Sequence, residues 1–252
     1  TQPAILTTSI AALQAAQEAG IQADYTAGHS LGEYSALVAA GSLSFEDAVY
    51  AVRQRGLYME EAVPAGEGAM SAVLGLDNEP LSEIAEKVTA EGESVQLANL
   101  NAPGQIVISG TAEGVQMAGK LAEEAGAKRV LPLNVSGPFH SRLMKPAAQK
   151  FKAVLDEIDI RDSEIPVIAN VTAKEMQTAT DVYENLLAQL YSPVRWEETV
   201  RKMLDLGVDT FIEIGPGNVL CGLVKRVHRR ATALPISDQE SLEKALSKLK
   251  GE

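Results

Sequence analysis

With 252 residues, 46% hydrophobic and only 4% aromatic, the chain can bury one large core, or a core with a smaller inserted unit. A formal charge of -12 argues against nucleic acid as a general partner, since a phosphate backbone is held mainly by positive charge. A single cysteine, Cys221, excludes an internal disulfide and a cysteine-only metal cluster, and no apolar run reaches the roughly 18–20 residues of a membrane span or resembles a secretory leader, so a cytoplasmic protein is expected.

In chain order, Pro3, the stripe Leu6, Ile10 and Leu13, and the stop at Gly20 predict a first helix. A short strand over about 24–28 then leads into Gly28-His29-Ser30-Leu31-Gly32, followed by a small-residue helix to Gly41. Ser44, with Glu46 and Asp47 behind it, caps a helix to about Val63. From 69 to 135 the pattern reads strand, helix, strand, strand, helix, strand (69–75, 79–91, 95–100, 105–109, 111–125 and 129–135), the order of a ferredoxin-like unit. Residues 66–135 are therefore expected to form an inserted subdomain in a core of 1–65 and 136–252. Beyond it come a loop with His140, a helix to about 158 and a strand over 166–171. Helices follow near 181–190 and 196–206, then the strand 210–214, a basic helix, the strand 233–236 and a last helix. Such alternation predicts an α/β core with a mostly parallel sheet covered on both faces.

Gly-x-Ser-x-Gly alone is a modest signal, satisfied equally by a tight turn with a capping serine. In context it gains weight. A strand ending at Ser30 and a helix starting there would lift the hydroxyl clear of the sheet, with the flanking glycines permitting the turn. The Leu31 N–H at the helix start would then face a developing oxyanion. A nucleophilic serine needs a base, and the sequence has three histidines. His29 adjoins the serine and is expected to be packed away from it, and His228 lies among basic residues. His140, in the stiff Ser136-Gly137-Pro138-Phe139-His140 loop, is left as the candidate. No carboxylate lies where an ordinary hydrolase triad would have it, since Glu213 follows the histidine. Some other group is expected to orient the imidazole.

On the helix 45–63, Arg55 is the one charge within the apolar arc of Ala48, Ala51, Val52 and Met59. A guanidinium there is costly without an anion, and its planar fork suits a carboxylate. That anion is either a structural partner or a ligand; a ligand would mean an acyl group bearing a free carboxylate.

GHSLGEYSALVAAG around Ser30, RQRGLYMEEAVPAGEGAM around Arg55, NLNAPGQIVISG, SGPFH, QLYSPVRW and EIGPGNVL together resemble the bacterial malonyl-CoA:acyl carrier protein transacylases, in the family's order and over essentially the whole chain. The resemblance implies a hydrolase-like three-layer core with a ferredoxin-like subdomain, Ser30 malonylated by malonyl-CoA, and His140 as general base and acid. It implies that the Gln189 backbone carbonyl orients His140 and that Arg55 binds the malonyl carboxylate. Met59 would line the acyl pocket, and Asn99 and Asn101 would lie near the pantetheine arm. Leu31 after the serine and Phe139 before the histidine match the malonyl-using members of related polyketide acyltransferases. The family also has an N-terminal strand and a Gly-Gln-Gly-Ser-Gln loop whose glutamine gives a second oxyanion donor. The sequence lacks both, so a preceding segment or a companion piece is expected.

The implied partners are malonyl-CoA and acyl carrier protein, with no metal or redox cofactor. An acidic carrier approaching an acidic enzyme needs a local positive face, for which Lys225, Arg226, Arg229 and Arg230 are candidates. A solvated helix end is an equal explanation of these four. A serine thioesterase and a non-catalytic carrier-binding piece are the competing functions.

Overall fold

The computed structural model describes all 252 residues. Three helices open it: α1 (Gln2–Glu18), α2 (Gly32–Ala39) and α3 (Phe45–Glu61). Pro3 lies in the first turn of α1, where its missing N–H costs nothing. Ser44 caps α3 by accepting the Asp47 N–H at 3.1 Å. The helices α6 (Lys145–Glu157) and α7 (Ala179–Gln189) pack with them around Leu6, Tyr34, Leu37, Val52, Phe151 and Leu186, all fully buried.

A separate apolar layer is built by β1 (Gly68–Leu74), α4 (Asn78–Ala90), β2 (Val95–Ala102), β3 (Gln105–Thr111), α5 (Ala112–Glu124) and β4 (Arg129–Pro132). Its four strands form an antiparallel sheet in the order β2-β3-β1-β4. Alternate residues such as Val73, Ile106 and Ile108 meet Leu81, Val88 and Val115 of the two helices. The last strand is shorter than the predicted 129–135. Leu133 still donates to the Met70 carbonyl, but the Val135 N–H turns back onto Leu133. Register shifts between Leu97 and Asn99 and between Leu100 and Ala102 mark irregularities in β2, and its free edge pairs with Val194. That bridge ties the sheet to the helical layer (Val194 N–H to Ala98 O, 2.8 Å; Leu100 N–H to Val194 O, 2.9 Å).

The rest comprises β5 (Val167–Ile168), β6 (Glu175–Met176), α8 (Trp196–Asp205), β7 (Thr210–Ile214), α9 (Val219–Val227), β8 (Thr232–Ile236) and α10 (Gln239–Lys250). Parallel pairing is confined to β7 with β8 and the bridges Thr26–Val167 and Asn99–Val194, less than the mostly parallel sheet expected. The reason lies at two places. The predicted strand 24–28 makes a single bridge, because the Gly28 carbonyl is bonded to the Asn170 side chain instead of a ladder neighbour. The predicted strand 166–171 ends after two residues, because the chain reverses through Ala173 (φ 56°) and returns antiparallel as β6, a strand the sequence patterning did not show. No helix is long and apolar enough to cross a membrane.

Candidate active site

Ser30 sits between the Thr26 bridge and α2 with φ of 55°, the left-handed region that non-glycine residues rarely occupy. Two contacts from Asn170 hold it there. Asn170 Oδ1 accepts the Ser30 N–H at 2.7 Å, and Asn170 Nδ2 donates to the Gly28 carbonyl at 2.7 Å. The turn is tight enough that a Cβ on Gly28 would lie 1.9 Å from the Gly32 carbonyl oxygen, whereas one on Gly32 would meet nothing within 4 Å. Only the first of the two flanking glycines is thus required, which narrows the expectation drawn from the motif. The Leu31 N–H opens α2 and has no acceptor in the protein, so it is free to donate to a bound oxygen.

His140 also has a left-handed backbone, φ 57°. Its loop is fastened by Ser141 Oγ donating to the Pro138 carbonyl at 2.6 Å, and by Gln96, which donates to the His140 carbonyl at 3.3 Å and accepts the Arg142 N–H at 2.9 Å. The imidazole Nε2 lies 2.8 Å from Ser30 Oγ, and Nδ1 lies 2.9 Å from the Gln189 backbone carbonyl. A carbonyl can only accept, so Nδ1 carries the proton and Nε2 is left as a base toward the serine. Burial, then the Arg55 charge, push the imidazole down to about 3, against the opposing Gln189 hydrogen bond. Glu213 takes no part here; it caps α9 by accepting the Leu220 and Cys221 N–H groups.

Arg55 is 1% exposed. Its Nη1 donates to Gln2 Oε1 (2.8 Å), and its Nη2 donates to Gln189 Oε1 (2.9 Å) and Ser30 Oγ (3.0 Å). The Nε–H is buried with no partner. Every direct acceptor is neutral, so the charge lacks an anion in contact, and burial pushes the guanidinium below its usual range. Ser30, Leu31, Arg55, Met59, Asn99, Phe139 and His140 line one cavity of about 280 Å³ together with Gln2 and the apolar Met70, Val107, Leu133 and Val135.

Asn101 lies outside that lining. Its Oδ1 is 2.8 Å from His29 Nε2, and the His29 ring packs against Trp196 with centroids 5.5 Å apart. His29 is thus a packed histidine, as its position beside the serine predicts, and Asn99 Nδ2 approaches it at 3.4 Å. Lys225 and Arg226 occupy the last turn of α9 with Arg229 and Arg230 just beyond, all four exposed. Lys225 donates to the Ala231 carbonyl.

Three site residues escaped the sequence patterning: Gln2, Asn170 and Glu33. Glu33 is fully buried, with Oε2 accepting the Asn170 N–H at 2.8 Å and Oε1 accepting Gln189 Nε2 at 3.2 Å. Burial raises its carboxyl to about 8, opposed by the Asn170 N–H, the Arg55 charge and Gln189. An acid in the first turn of a helix is usually explained by the helix dipole, which hid it.

The acyl transferase domain family matches residues 1–248. The chain belongs to this family. It is 64% identical over 251 residues to the malonyl CoA-acyl carrier protein transacylase of Bacillus subtilis, covering 100% of this chain and 79% of that protein. A malonyl-transacylase solved in complex with its type II PKS acyl-carrier protein superposes with a TM-score of 0.95 at 48% identity, covering 98% of this chain and 80% of that one. The Streptococcus pneumoniae MCAT structure gives 0.94 at 48% identity, covering 98% and 81%. The family's mixed α/β fold is therefore that of this chain.

The glycine geometry separates two substitutions of one chemical kind. Gly28→Ala should unfold the elbow at a cost of several kcal/mol or prevent folding, since backbone atoms must move. Gly32→Ala should be neutral or stabilise by up to about 1 kcal/mol through helix propensity. Urea unfolding of the two variants measures the contrast.

Proposed function

We propose that this chain is a malonyl-CoA:acyl carrier protein transacylase, moving the malonyl group from coenzyme A to the phosphopantetheine thiol of acyl carrier protein through a malonyl ester on Ser30. The observation that carries this reading is the 3.0 Å between Arg55 Nη2 and Ser30 Oγ, on a buried guanidinium whose direct acceptors are neutral. A carboxylate gripped there and a carbonyl carbon attacked by Oγ must be close neighbours in one acyl group. Malonyl, with a single methylene between them, has that spacing.

In the first half-reaction His140 Nε2 takes the Ser30 proton as Oγ attacks the thioester carbonyl. The Leu31 N–H supports the oxyanion, and the coenzyme A sulfur leaves with the proton returned by His140. In the second, the carrier thiol gives its proton to His140, attacks the malonyl ester, and Ser30 Oγ recovers the proton as it leaves. The Gln189 carbonyl holds the imidazole in one tautomer and steadies its transient charge. The malonyl carboxylate offsets the Arg55 charge that helps depress His140, so the base strengthens when the proper acyl group is bound.

Met59 and Phe139 form apolar walls for the acyl group, Asn99 and Asn101 lie along the pantetheine path, and Lys225, Arg226, Arg229 and Arg230 meet the acidic carrier. The chemistry draws on no metal or redox cofactor, and the setting is cytoplasmic. We read residues 66–135 as a ferredoxin-like subdomain inserted in a hydrolase-like three-layer core of 1–65 and 136–252. Their βαββαβ order, antiparallel sheet and separate apolar layer support that division.

Intact mass after exposure of the complete protein to malonyl-CoA should show one malonyl group on the wild type and none on Ser30→Ala. Label should then pass to carrier protein; release as free malonate would make the chain a thioesterase, and no Ser30-dependent adduct would sink the enzyme reading. Arg55→Ala should lower kcat/KM for malonyl-CoA on the order of 10²–10³-fold, the cost of stranding a buried carboxylate, while raising the relative use of acetyl-CoA. Equal losses for both would remove the clamp role. Because His140 is held neutral far below 6.5, the acid limb of the kcat/KM profile should lie well below that pH; a limb centred near 6.5 would mean a solvated imidazole.

A further inference from the structure

Glu33 lies in the first turn of α2, three positions after the nucleophile and immediately beyond the Gly28–Gly32 motif. We propose that Glu33 is a positioning residue, whose carboxyl group fixes the Gln189 side chain and the Asn170 backbone and through them aims Arg55 and holds Ser30 in its left-handed turn. The inference rests on the roles given above to Ser30, His140 and Arg55.

The Gln189 carboxamide has two ends of almost equal shape and opposite polarity. Its Oε1 faces Arg55, which can only donate, at 2.9 Å. Its Nε2 faces three acceptors: the Ser30 carbonyl at 2.9 Å, Glu33 Oε1 at 3.2 Å and Asn170 Oδ1 at 3.3 Å. Glu33 is the acceptor of the three that comes from a side chain also bonded to the Asn170 backbone, so it links the carboxamide to that strand end. Reversing the amide would set its N–H groups against the guanidinium and its oxygen against the Ser30 carbonyl. Glu33 Oε2 accepts the Asn170 N–H at 2.8 Å, and the Asn170 side chain clamps Gly28 and Ser30 at 2.7 Å each. One buried side chain thus reaches both the specificity group and the nucleophile through one intermediary apiece.

Both partners of Glu33 are N–H donors, one on each carboxyl oxygen. A carboxamide at 33 would press its own N–H₂ against one of them. The separation also has a use. A carboxylate bonded directly to Arg55 would compete with the acyl carboxylate for the fork. Placed one carboxamide away, Glu33 fixes Gln189 while leaving the guanidinium to the ligand.

The test is steady-state transfer from malonyl-CoA and acetyl-CoA by the complete protein carrying Glu33→Gln, Gln189→Met or both. The Gln189 substitution removes the carboxamide and keeps the backbone carbonyl that orients His140. Glu33→Gln should lower kcat/KM for malonyl-CoA by roughly 10–100-fold, the cost of leaving a buried N–H donor without an acceptor, and reduce the preference for malonyl over acetyl by about tenfold. In the Gln189→Met background the Glu33 change should alter that preference by less than about threefold, since residues acting through one another are not additive. Malonyl and acetyl rates falling together, in step with the folded fraction seen by thermal unfolding, would overturn the positioning role. So would fully multiplicative effects on the preference. If Glu33→Gln fails to fold, Gln189→Met decides: an unchanged malonyl preference overturns the proposal. Absence of a malonyl adduct on the wild type would instead overturn the underlying enzyme function.

Discussion

Taking a guanidinium out of water costs several kcal/mol unless its donors and its charge are both answered. At Arg55 the donors are largely met and the charge is not, because Gln2, Gln189 and Ser30 supply neutral oxygens. Tyr34, with its ring centroid 5.7 Å from the guanidinium carbon, adds a weak attraction. Much of the surrounding arrangement follows from that imbalance. The uncompensated charge helps depress His140, orders the carboxamide of Gln189, and places a donor on the nucleophile's own oxygen. The site is a cationic hole with a serine at its rim, and the ligand that best completes it brings an anion.

Strain is the second constraint. Ser30 and His140 both occupy left-handed backbone, which costs of order 1–3 kcal/mol at a non-glycine residue and persists only when neighbours over-determine it. Asn170 does this for Ser30 and the Ser141 and Gln96 contacts do it for His140. The supports come from both layers of the molecule: Gln96 lies on β2 of the antiparallel sheet, while Asn170 follows β5 in the other layer. The 2.8 Å contact between nucleophile and base therefore depends on the docking of the two layers, which the Val194 bridge to β2 secures.

Local signals carried much of this. The apolar arc of α3 isolates Arg55 before any coordinates, because a lone charge on a buried stripe stands out against a 3.6-residue period. The cap at Ser44 and the six alternating elements between 68 and 132 are likewise written in short-range patterns. The Gln189 contact with His140 came only through resemblance, since a backbone carbonyl has no side-chain signature. Glu33, Asn170 and Gln2 were illegible for a related reason. Each is an ordinary polar residue in an ordinary place, a helix start or a strand end, and only folding reveals that it points inward. The early end of β5 and the whole of β6 escaped because the reversal between them turns on Ala173 at positive φ, where no glycine or asparagine announces a turn.

Under the proposed function, the closeness of clamp and nucleophile would also determine how an acyl group is chosen. If Arg55 merely held a distant carboxylate, it would tighten binding equally in ground and transition states and leave the chemical step unaltered. Here its Nη2 is bonded to the attacking oxygen itself. An acetyl group leaves that bond in place, with one lone pair of Oγ occupied and His140 still depressed by an unanswered charge. A malonyl carboxylate bound as proposed would draw the guanidinium donors to itself, free Oγ toward His140 and offset the charge that weakens the base. Discrimination then appears in the rate of acylation as well as in affinity. A longer dicarboxylic group such as succinyl could satisfy the charge, but its extra methylene would carry the carbonyl carbon away from Oγ or force the chain to buckle against Met59 and Phe139. On that proposal, selectivity for the short diacid would follow from placing the anion's partner and the nucleophile within one hydrogen bond of each other.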